Sequence, residues 1–95
     1  MSNIIAFPSS GLTEQDRQEV VSLAYQLQLK GAAQGWITGE TMHGHVWMAI
    51  LDARKTDASL AVIAREEGQY VAFCDDGSAL AHGPNLSEVL STISA

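Results

Sequence analysis

The sequence is short of cysteine, of basic residues and of long apolar runs, and each shortage removes a class of protein. One cysteine, Cys74, stands among 95 residues, so no disulfide can form within the chain and a reducing cytoplasm is the expected compartment. No charged segment followed by an apolar one opens the chain at Met1, so no secretory leader is expected. The longest uninterrupted apolar run, Val46 to Leu51, has six residues, far below the about 20 that a membrane-spanning helix needs. No membrane is therefore an expected partner. Five basic residues face eleven acidic ones, for a formal charge of −6. That charge repels phosphates and anionic headgroups, so nucleic acid is not an expected partner either.

Motifs for small cofactors are missing too. Gly31, Gly35, Gly39 and Gly44 are too irregularly spaced for a phosphate-cradling loop, and no Gly-Lys-Ser or Gly-Lys-Thr occurs, so no nucleotide or other cofactor is expected. Asp75 and Asp76 adjoin Gly77 without the alternating oxygen ligands and closing glutamate of a calcium loop, which leaves them to turn chemistry.

What is present is a folding chain. Hydrophobic residues make up 46% and charged ones 17%, too apolar a balance for intrinsic disorder. Ninety-five residues suit one domain, which hides roughly two-thirds of its unfolded surface. The opening Asn3 to Pro8, loosened by Ser9, Ser10 and Gly11, reads as an extended arm or edge strand over residues 1–11. Thr13 and Asp16 then place a capping hydroxyl and a first-turn carboxylate at a helix start, Val20, Leu23, Ala24 and Leu27 recur at helical spacing, and Gly31 or Gly35 offers the stop.

The stretch from Trp36 to Lys55 has neither periodicity, because Val46 to Leu51 is apolar at every position. It reads as buried, as a strand or as a helix. From Leu60 onward the pattern is a three-stranded antiparallel meander, with Glu67-Gly68 and Asp76-Gly77 as turns. Asn85, with Glu88 three residues on, then caps a short helix whose stripe is Leu86, Val89, Leu90 and Ile93. The expected fold is α+β: a long N-terminal helix, an antiparallel meander of three or four strands and a short C-terminal helix.

Counting outward from two-residue turns puts Phe73 beside Val62 and Leu80, and Val71 beside Ala64 and His82, on a large apolar face. The other face collects Ala61, Ile63, Ala72, Cys74, Ala79 and Ala81, with Arg65 opposite Tyr70 at its end. Small residues permit close approach, so this second face, through Ala61, Ile63, Arg65, Tyr70, Ala72 and Ala81, is expected either to take the chain's own helices or to meet a second copy or another protein.

Chemistry is sparse. His43 and His45, two apart, would share one side of a strand and could share a metal ion. A structural site wants about four ligands, and only the distant Glu40, Asp52, Cys74 or His82 could complete it. Cys74 and His82 invite a nucleophile-and-base reading, but the hairpin count sets them on opposite faces. With no catalytic constellation, the expected function is a non-enzymatic protein-interaction or regulatory module, homodimeric, with metal or ligand binding by His43 and His45 as the alternative.

Overall fold

The computed structural model describes residues 10–93, so all but the end of the expected arm over residues 1–11 lies outside the described residues. Helix α1, Glu14–Leu29, starts on a reciprocal capping box. The Thr13 hydroxyl accepts from the Asp16 amide at 3.1 Å, and Asp16 Oδ2 accepts from the Thr13 amide at 2.9 Å, which satisfies two donors that a helix start leaves free. The stop falls at Gly31, not Gly35. Its φ of +78° turns the chain left-handed, and the Gly31 and Ala32 amides donate back to Gln28 O and Leu27 O, the paired bonds of a Schellman termination.

Five antiparallel strands follow in sequence order as one sheet: β1 (Ala33–Glu40), β2 (Val46–Asp52), β3 (Ser59–Glu66), β4 (Gln69–Phe73) and β5 (Ala79–Gly83). The fold is α+β with five strands where the sequence pattern suggests three or four. The difference lies in the ambiguous stretch. Val46 to Leu51 is a central strand, paired on both sides, with Met48 and Ile50 in the core and Trp47, Ala49 and Leu51 on the opposite face. Its partner β1 hides in the sequence because Gly35 and Gly39 interrupt any alternation.

The two later hairpins differ. Glu67 and Gly68 have φ of +51° and +79°, and Glu66 pairs with Gln69, so this is a two-residue turn with both central positions left-handed. The next loop is one residue longer. Cys74 receives at its carbonyl from the Gly77 amide and donates its own amide to Ser78 O, enclosing Asp75, Asp76 and Gly77. A bulge corrects the slip at once: Phe73 pairs with Ala79 but Ala72 with Ala81, leaving Leu80 as the extra residue. His82 therefore still faces Val71, while Ala79 replaces Leu80 opposite Phe73.

Helix α1 packs on β1 and β2, and the short α2 (Leu86–Leu90) packs on β4, β5 and α1. Asn85 Oδ1 caps α2 from the Glu88 amide at 3.1 Å. Val20, Ala24 and Leu27 of α1, with Leu86, Val89, Leu90 and Ile93, close over Met48, Ile50, Ala61, Ile63 and Ala72. These two layers form the core.

That packing corrects the expected interface. Ala61, Ile63 and Ala72 are 0% exposed, and Ala81 is half-buried against the same core. Arg65 Nε donates to Gly11 O at 2.9 Å, and Tyr70 Oη donates to Asp16 Oδ1 at 2.8 Å, so both side chains tie the start of α1 to the sheet. Small side chains do permit a close layer here. The layer is the chain's own pair of helices, which leaves Ala61, Ile63 and Ala72 without exposed surface.

Candidate functional site: the uncovered sheet face

Because neighbouring side chains on a strand point oppositely, every residue flanking that core faces away from the helices. One row runs straight across all five strands: Ile37, Ala49, Val62, Phe73 and Ala79. Beside it, Gly39 pairs with Trp47, and Ala64 lines up with Val71 and His82. None of these residues belongs to the core cluster. Both helices lie on the other side, so among the described residues no helix covers this face.

The face is apolar at its centre and polar at its rim. Ile37 is 46% exposed, and Trp47, Leu51, Val62, Val71 and Phe73 are half-buried. Ala49, only 2% exposed, sits sunken between Ile37 and Val62. Charge stands at the border, with Glu66 paired to Gln69 beside one hairpin turn and Asp57 in the loop before β3. At one end the six-membered ring of Trp47 lies over Gly39, where a Cβ would stand 2.7 Å from Cε2. At the other end, Ile37, Leu51 and the turn from Thr56 to Ser59 line a hollow of about 420 Å³.

The expected metal pair is elsewhere. His43 and His45 sit in the β1–β2 turn, where the Thr41 hydroxyl accepts from both of their amides, at 3.3 and 3.1 Å. Their rings are 6.0 Å apart and tilted by 39°. Among the described residues, no group of three or more His, Cys, Asp or Glu is placed to hold a metal ion, so Glu40, Asp52, Cys74 and His82 do not complete the pair. A two-ligand site is half of what a structural metal centre uses.

The other chemistry-bearing groups have structural partners. His82 pairs with Val71, so it stands three residues along the strand from Cys74, beyond hydrogen-bond reach. Asp75 Oδ2 accepts from the Ser59 amide at 2.8 Å. Asp76 Oδ1 accepts from the Ser78 hydroxyl and amide, and these bonds, the hydroxyl's foremost, hold its carboxyl below the usual range. Tyr70 is shifted upward, first by burial and then by its bond to Asp16, with Arg65 opposing.

A second hollow, about 400 Å³, opens on the helix side between α1 and β1 and includes Val21, Tyr25 and Trp36. Trp36 is 37% exposed there, in line with its setting among polar and glycine residues. Arg17 and Glu14 form an exposed ion pair at its border, 3.2 Å apart. The hollow brings together no nucleophile with a base.

Comparison with protein families, curated proteins and solved structures finds no match to this chain. Among the described residues, no helix is long and apolar enough to cross a membrane. The site residues that the sequence pattern does not single out are Ile37, Trp47 and Leu51. Their signal is indirect: an apolar run without alternation implies that both faces of β2 are used, and the helices occupy only one.

Proposed function

We propose that the chain is a non-enzymatic protein-interaction module, and that its working surface is the uncovered sheet face. One observation carries the reading: a five-stranded face with an apolar centre, two aromatic anchors in Trp47 and Phe73, and charge confined to its rim. Stable interfaces share that anatomy, with desolvated aromatic residues inside and polar groups around them. Apolar patches of a few hundred Å² are often the functional ones on a protein surface. The single free thiol, Cys74, suits work in the reducing cytoplasm.

The reading is tested by placing a charge on each side of the sheet at adjacent positions of β3. Ile63→Lys buries an ammonium in the core and unfolds the protein. Val62→Lys points into solvent on a free face, so its far-UV circular dichroism and cooperative unfolding stay native. A Val62→Lys protein that unfolds like Ile63→Lys has that face closed within its own chain, and the reading fails.

A further inference from the structure

Resting on that reading, we infer that the occupant of the uncovered face is a second copy of this chain, docked sheet against sheet about a two-fold axis. Area and layering support it, and the absence of charge at the centre of the face permits it.

The strands number five and are five to eight residues long. At about 4.8 Å between strands and about 3.3 Å per residue, the face spans on the order of 400–500 Å² in plan. Two such faces together bury on the order of 1,000 Å², the lower bound for a specific interface. A patch near that size is enough for a dimer when it is used whole.

Charge permits the same occupant at this face. Each copy carries −6, so two copies repel wherever their acidic surfaces meet. They can approach through a region without charge. The row Ile37, Ala49, Val62, Phe73 and Ala79 has none, and Glu66 stands at the border. A strongly basic partner, by contrast, would find no acidic counterpart at the centre of this face.

Layering gives the geometry. Both helices of the described chain are already committed to the opposite face, so the layer each protomer has left to offer is its own sheet. Two sheets stack about 10 Å apart with their strands within about 30° of each other. The product is a four-layered particle, helices outside and two sheets within, closed by an isologous contact. The hollow at the Leu51 end, about 420 Å³, gives relief into which the partner's side chains can seat.

The experiment is solution mass by light scattering coupled to size exclusion, over a range of micromolar concentrations. It compares the natural chain with Val62→Lys and with Ile37→Asp, the latter at a position already 46% exposed and thus tolerant of charge. The natural chain is expected at twice the 10.1 kDa chain mass, and both variants at a single chain mass with native circular dichroism. A dimer that survives both substitutions pairs through another surface and overturns the inference. A natural chain that is monomeric throughout also overturns it. In that case the neutral dye Nile red separates the two claims: binding that Val62→Lys abolishes leaves the interaction surface standing for a different protein, and no binding removes that reading as well.

Discussion

The ring of Trp47 lies directly over Gly39 of the neighbouring strand, so close that a Cβ at Gly39 would stand 2.7 Å from Cε2. Glycine at 39 is thus a steric requirement of the indole's position. Gly39→Ala forces the ring off its seat, and overpacking of this kind costs typically about 1–3 kcal/mol. The expected result is a shifted tryptophan emission and weakened self-association, read as a higher dimer dissociation constant, while the helix-side core is untouched. A Gly39→Ala protein that associates as tightly as the natural chain would show that the Trp47 end of the face lies outside the contact.

The small residues of the opposite face act through packing under the helices. Ala72, 0% exposed and cross-strand from Ile63 and Ala81, has no room for a larger side chain. Ala72→Leu is expected to lift α2 and lower the unfolding free energy by about 1–3 kcal/mol, seen as a lower urea midpoint. Solution mass is expected to stay that of the natural chain. Loss of association with unchanged stability would instead return the interface to this face.

Tyr70 gives the fold an alkaline limit. Burial, and after it the hydrogen bond to Asp16 and that residue's charge, raise its pKa above the usual 10.0, so the native protein holds the phenolic proton more tightly than the unfolded chain does. The stability linked to it is whole below pH 10 and drains away as pH rises from there through the native value. Tyr70→Phe removes the donor to Asp16 Oδ1, which at neutral pH costs roughly 1.5–3 kcal/mol for a bond to a charged acceptor. In thermal melts between pH 8 and pH 11, the natural chain is expected to lose its advantage over Tyr70→Phe at the alkaline end; a constant difference would contradict this.

The histidine pair is expected to bind zinc weakly. His43 and His45 lie in a turn ordered by Thr41, with no third ligand gathered among the described residues. Calorimetric titration with zinc is expected to show little heat and no rise in melting temperature. A tight single site that disappears in the His45→Ala variant would favour a metal-binding role.

Most of the architecture is legible in the sequence because local rules set it. Thr13 with Asp16, Gly31, Glu67-Gly68 and Asn85 each carry a cap or turn that forms where their chemistry places it. The pairing of Val71 with His82 is also recovered, although by two compensating shifts, the extra loop residue and the Leu80 bulge, that no local pattern announces. Strand β1 is not legible, because edge position and two glycines erase its alternation. The candidate site is half legible. The apolar side of Val62, Val71 and Phe73 follows from the register, but which sheet face the helices choose depends on volume: Ala61, Ala72 and Ala81 leave space for a helix layer that Trp47 and Phe73 would not. That choice is made in three dimensions, between residues far apart in the chain.

The most direct test is the solvent accessibility of Trp47 itself, measured by acrylamide quenching in a Trp36→Phe background, where it is the remaining one of the chain's two tryptophans. The quenching constant is compared at micromolar concentration with and without Val62→Lys. Trp47 is expected to be shielded in the first protein and readily quenched in the second, because the substitution parts the two sheets while each stays folded. Equal quenching in the two proteins, with both natively folded, would contradict it.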